Sequence, residues 1–257
     1  MPLTEVNGIQ LYYEAHGEGF PIVFLHGYSS THHMWRAQLS DFSKEYRFII
    51  YDARGHGQTE SPPSVDQYSA DIVVEDLYQL LKALDIEKAV IGGLSMGGYE
   101  SLRFYLTHPE MVKALVLMDT GPGYRNPDRM AEWNRGREER AKLLETEGIE
   151  VLAANAPTET RRDIMLKQNP IGLAHMARTV VAQHDSRVID SLSEISVPTL
   201  VLVGENDRPF LAAGQVMAKK IPSAVHVVIP DAGHAANIDN TEVFNREVLG
   251  FLSQLDL

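Results

Sequence analysis

The chain has 257 residues, 44% of them hydrophobic, which is enough to bury one large core and lies within the size that a single α/β domain fills. Its formal net charge of -12 weighs against nucleic acid and anionic membrane surfaces as partners, because both need clustered Lys and Arg. The absence of cysteine removes disulfides, thiolate metal sites and a cysteine nucleophile together, and fits a reducing compartment.

The first residues, MPLTEVNGIQLYYE, lack the basic then apolar pattern of a secretion signal. No window approaches the roughly 20 apolar residues that span a bilayer, so a cytoplasmic protein without membrane insertion is expected. Leu3 to Val6 and Ile9 to Glu14 read as strands joined at Asn7-Gly8, a strong two-residue hairpin signal. Six further runs follow: PIVFLHG, RFIIYDARGHG, KAVIGGLSMGG, VKALVLMDTG, PTLVLVGEND and VHVVIPDAGH. Each is apolar or β-branched and ends in polar or glycine residues. Helical spacing lies between them at Asp71 to Leu84 and at Ser101 to Leu106, and Val243 to Leu255 closes the chain as an amphipathic helix. The alternation predicts an α/β fold, a mostly parallel central sheet of about eight strands flanked by helices, in which the strand ends share one edge.

One region interrupts this pattern. From Gly121 to Asp190 there is no convincing strand, only helical segments around Met130 to Glu147 and Thr160 to His184. This stretch holds 11 basic and 11 acidic residues, leaving 12 and 24 elsewhere, so the whole net charge resides on the sheet. Residues 121–190 are therefore expected to form a helical cap or lid inserted after the sixth strand, with 1–120 and 191–257 building the core domain. There is no internal repeat and no low-complexity tract.

Gly93-Leu94-Ser95-Met96-Gly97 matches G-x-S-x-G and sits between a predicted strand and a predicted helix. Small residues let the chain reverse there within a few positions, forcing Ser95 into a strained conformation that exposes its hydroxyl. The turn also aims the Met96 N–H, at a helix N-terminus, toward whatever Ser95 binds. A serine hydroxyl needs a base, and the base needs an orienting group. His234 in DAGHAAN follows the last strand and Asp207 in VGENDRPF follows the one before, so the order is Ser95, Asp207, His234.

These features together resemble the α/β-hydrolase fold family, of the small, cap-bearing serine esterase, enol-lactonase and haloperoxidase-like branch. The resemblance spans essentially the whole chain. It implies that FLHGYSS is the oxyanion loop, with the Tyr28 N–H as second donor beside Met96. It implies too that Asp119, at the end of ALVLMD, competes with Asp207, with Glu205 a distant third. Asp52, Arg54 and His56 in YDARGHGQT and His26 are expected to hold loops, and His32-His33 to be surface or pocket wall. Trp133 and Met130 are expected to contact substrate, with Met165, Ile171, Leu173 and Met176 as cap core or acyl pocket. Arg125 or Arg178 are candidates for binding a substrate carboxylate. The activity implied is hydrolysis of small, largely apolar carboxylic esters through an acyl-enzyme on Ser95, by a monomer or homodimer without cofactor or metal. Lactone or carbon-carbon hydrolysis is the alternative, although Leu94 stands where carbon-carbon hydrolases usually show Asn. A non-catalytic ligand-binding or receptor role is the reading from another class.

Overall fold

The computed structural model describes residues 3–154, 156 and 158–257. The chain opens with β1 (Leu3–Val6) and β2 (Ile9–His16), an antiparallel hairpin that turns through Asn7 (φ 46°) and Gly8 (φ 74°). Two consecutive positive φ values are what a two-residue turn of the right twist demands. Then come β3 (Phe20–Leu25), β4 (Tyr46–Tyr51), β5 (Ala89–Leu94), β6 (Val112–Met118), β7 (Thr199–Gly204) and β8 (Ala224–Ile229). They form one sheet in the order β1-β2-β4-β3-β5-β6-β7-β8, parallel from β4 to β8. The expected eight-stranded, mostly parallel sheet is thus present.

Both faces of the sheet are buried, and alternate strand residues serve opposite faces. Ile22 and Phe24 of β3 pack with Trp35, Phe42, Phe48 and Phe244 on one side; Val23 and Leu25 pack with Leu80, Leu102 and Phe104 on the other. The first side is covered by α1 (Leu39–Phe42), the second by α2 (Ala70–Ala83) and α3 (Met96–Thr107). Ser69 caps α2 by accepting from the Ile72 N–H at 3.1 Å.

Between β6 and β7 lie the helices of the insertion. The first is α4 (Pro127–Glu147), started by Pro127 and by the Asn126 side chain, which accepts from the Asp128 and Arg129 N–H groups. After it come α5 (Glu150–Ala153), α6 (Glu159–Leu166), α7 (Pro170–Met176), a π-helical turn at Ala177–Val181 and α8 (Arg187–Asp190). The stretch expected to be helical from Thr160 to His184 is therefore broken: Pro170 lacks the N–H that would continue α6, and Asn169 caps a new helix instead. Ala141, Leu144, Ile149, Leu152, Leu173, Ala174 and Ala177 give the insertion a small core of its own. It is tied to the sheet edge by hydrogen bonds from Tyr28 Oη to Leu173 O (3.0 Å) and from Gln168 Nε2 to Ser29 O (2.8 Å).

The chain closes with α9 (Arg208–Lys220), α10 (Ala236–Asp239) and α11 (Thr241–Leu252). Among the described residues no helix is long and apolar enough to cross a membrane.

Candidate active site

At the end of β5 the chain must reverse into α3 within one residue, and Ser95 absorbs the reversal with φ 56° and ψ -111°. Such a conformation costs a non-glycine residue about 1–3 kcal/mol and persists only where its surroundings hold it. The holding contacts are visible: the Ser95 N–H donates to Met118 O at 2.8 Å, and Thr120 Oγ1 donates to Ser95 O at 2.7 Å. Gly93 and Gly97 are needed for close approach rather than for dihedral freedom. A Cβ on Gly97 would lie 2.3 Å from Leu25 O, and one on Gly93 would lie 2.5 Å from the Gly97 carbonyl carbon.

His234 arrives on the loop after β8, and its Nδ1 is 2.8 Å from Asp207 Oδ2 on the loop after β7. Asp207 is buried while the His234 side chain is 48% exposed. Burial opposes a charge on His234, but the hydrogen bond and charge of Asp207, with a contribution from Asp119, outweigh it and raise the imidazole pKa. Phe210 stacks on the ring at 5.0 Å.

The two competing carboxylates are engaged elsewhere. Asp119 accepts from the Gly204 and Ala236 N–H groups at 2.8 and 3.1 Å, a buried strut joining the ends of β6 and β7 to the histidine loop. Burial pushes its pKa up to about 7, against the pull of those two hydrogen bonds. Glu205 accepts from the Asp231 N–H at 3.1 Å.

The loop after β3 lies against the serine: a Cβ on Gly27 would sit 3.6 Å from Ser95 Cβ. The Tyr28 N–H follows, and neither it nor the Met96 N–H, at the start of α3, has a hydrogen-bond partner among the described residues. This loop is braced by imidazoles. His56 Nε2 accepts from the Ser29 N–H (3.1 Å), and His26 Nε2 accepts from the Ala53 N–H (3.0 Å). Complete burial pushes the His56 pKa down to about 3, so it braces as a neutral ring. Asp52 accepts from the Gln58 N–H and from the His32 backbone and ring. Arg54 makes a buried fork with Asp76 at 2.6 and 2.9 Å. His32 corrects the expectation of a surface or wall residue: it is 1% exposed and packs beneath the loop, because its ring is the partner that buried Asp52 requires.

Ser95, His234, Tyr28 and Met96 open onto one cavity of about 710 Å³, roofed by the insertion. Trp133 lines it, its Nε1 donating to Val181 O at 2.8 Å. Met130, one turn nearer the start of α4, is not among the lining residues, and neither are Met165, Ile171, Leu173 and Met176. Leu173 and Met176 are instead fully buried in cores. Arg125 and Arg178 are already neutralised, the first by Asp190 and the second by Glu138 and Glu145. Arg137 and Glu100, which the sequence did not single out, do line the cavity. A signal for Arg137 was present in the four-residue step from Trp133, which stacks the two on one helix face.

The profile of a family described as alpha/beta hydrolase fold matches residues 21–187. A 3-oxoadipate enol-lactonase of Acinetobacter baylyi is 30% identical, covering 91% of this chain and 89% of that protein. A putative 2-succinyl-6-hydroxy-2,4-cyclohexadiene-1-carboxylate synthase of Bacillus subtilis is 29% identical, covering 91% and 90%. Among solved structures, a thermophilic esterase from Thermogutta terrifontis superposes with a TM-score of 0.89 at 30% identity over 99% of both chains.

Proposed function

The chain belongs to the α/β-hydrolase fold family, and on that premise we propose that it hydrolyses small carboxylic esters through an acyl-enzyme on Ser95, with the helical insertion of residues 121–190 acting as the lid over a core of residues 1–120 and 191–257. The observation that carries this reading is the His234–Asp207 hydrogen bond of 2.8 Å beside a strained Ser95 in the same cavity. Asp207 accepts the Nδ1–H and so leaves Nε2 free as the base. His234 takes the Ser95 proton as the hydroxyl oxygen attacks the ester carbonyl, then returns that proton to the departing alkoxide. No hydrogen bond joins Ser95 to His234 here, and in free enzymes such contacts commonly tighten only with substrate. The Tyr28 and Met96 N–H groups meet the developing oxyanion, each donor lowering the barrier by about 3 kcal/mol. Water activated by the same histidine then releases the acid.

A second reading, lactone hydrolysis, is favoured by the likeness to an enol-lactonase and needs the same machinery, with the alcohol remaining on the product. Turnover of p-nitrophenyl butyrate tests the first reading. Wild type is expected to exceed the Ser95→Ala variant on the order of 10⁵-fold in kcat. Equal rates for the two proteins overturn it, and a lactone panel run beside it ranks the second.

A further inference from the structure

Four of the nine arginines of the insertion pair with a carboxylate among the described residues. Arg125 pairs with Asp190, Arg129 with Glu132, Arg178 with Glu138 and Glu145, and Arg187 with Asp185. Arg137 differs. Its guanidinium lies 4.2 Å over the Trp133 ring in the cavity wall, and its Nε is buried with no hydrogen-bond partner among the described residues. The titratable groups that act on it are Tyr28, Tyr124 and Arg140, none of them a carboxylate. A guanidinium stays charged in such a place, so its donors await an acceptor.

The rest of the wall sharpens the asymmetry. Arg161 adds a second guanidinium, and the one carboxyl group among the lining residues is Glu100. Burial pushes the Glu100 pKa up to about 8, against the pull of Arg103, whose Nε is 4.0 Å from Oε2, and both its oxygens lack hydrogen-bond partners among the described residues, so its carboxyl is mostly protonated at neutral pH. Inside a chain of net charge -12, the cavity wall is thus cationic.

We propose that the cavity selects esters or lactones bearing a second, ionised carboxylate, and that Arg137 holds that carboxylate; this rests on the hydrolase reading above. A planar guanidinium preset on an indole matches a carboxylate through two parallel hydrogen bonds, and it loses little freedom in doing so. Tyr28 and Arg137 line the same cavity, and in the mechanism above the Tyr28 N–H is a donor beside Ser95, so one molecule in that cavity can present its carbonyl to Ser95 and its anion to Arg137. The remaining wall is mostly apolar, which makes an unpaired charge costly and a paired one strong.

The test compares mono-p-nitrophenyl glutarate with p-nitrophenyl pentanoate, esters of similar length that differ in charge. Wild type is expected to prefer the glutarate, and Arg137→Ala to lose that preference by about ten- to a hundredfold in kcat/KM, mainly through KM. The pentanoate is expected to change less than about threefold, and Arg125→Ala to leave both esters unaltered. Arg137→Met keeps a stem on Trp133 should the alanine variant loosen α4. Equal losses on both esters, or a wild-type preference for the pentanoate, overturn the proposal. If neither ester is turned over, the hydrolase reading fails, and free glutarate then reads the anion site alone. It should raise the Tm of wild type and not of Arg137→Met. No shift, an equal shift in both proteins, or protection by inorganic phosphate instead of glutarate overturns the site.

Discussion

The sheet edge and the insertion above it solve different problems with different materials. At the edge, backbone geometry dominates: Ser95 is pinned on both sides by hydrogen bonds, and Gly93 and Gly97 press on neighbouring carbonyl groups. In the insertion, side chains dominate. Only Ala141 and Leu144 are buried in the 21 residues of α4, and Gly136 in the same helix has nothing within 4 Å of its would-be Cβ. The difference teaches that the chemistry is set where the chain cannot move by an ångström, while the shape and charge of the cavity are set where almost any helix would fit.

That contrast can be broken at four points, in falling order of effect. Asp207→Asn is expected to lower kcat by about three to four orders of magnitude while the fold persists, since an amide NH2 can donate to Nδ1 and the His234 tautomer is no longer fixed. Asp119→Asn should cost less than about tenfold in rate and instead lower stability by about 1–3 kcal/mol, because a backbone N–H loses its carboxylate. The reverse ranking in steady-state kinetics would move the orienting role to Asp119. Gly97→Ala comes next: a methyl 2.3 Å from Leu25 O forces backbone to shift, at a cost of about 3 kcal/mol or more in denaturant unfolding.

Third, the base must be neutral to accept a proton, so kcat/KM should climb with pH through the His234 pKa. Since that pKa is raised above 6.5, the midpoint of the limb lies above 6.5, and Asp207→Asn should slide it to lower pH. A limb centred below 6.5 in the wild-type pH profile would contradict the pairing. Smallest is Gly136→Ala in the insertion, expected to stabilise by about 0.5–1 kcal/mol in thermal unfolding without touching kcat.

The same contrast explains what could be read from the sequence. Ser95, Asp207 and His234 were legible as neighbours because each lies just past a strand of one parallel sheet, and such ends must converge on one edge. The insertion was legible only as helical. Its break at Pro170 was written in the sequence, but the partners of its arginines were not: Arg178 reaches Glu138 and Glu145, 40 and 33 residues away, and Arg125 reaches Asp190. Local charge patterning carries no record of pairs that distant. His32 escaped for a related reason, since its burial follows from Asp52, 20 residues on.

The two buried imidazoles that hold the oxyanion loop, His26 within it and His56 against it, set an acid limit on how the protein can be handled. His56 is fully buried and neutral in the folded state down to about pH 3, whereas an unfolded chain protonates it near 6.5. As pH falls from 6.5 toward 3 the unfolded chain therefore gains a proton that the native one refuses, and folding stability drains away across that window. His26, likewise held below its ordinary value chiefly by burial, adds to the drain. The Tyr28 loop rests on the His56 ring and is itself pinned to Ala53 through His26, so storage in mildly acidic buffer should loosen the proposed oxyanion site, and a preparation meant to keep its activity belongs at or above neutrality.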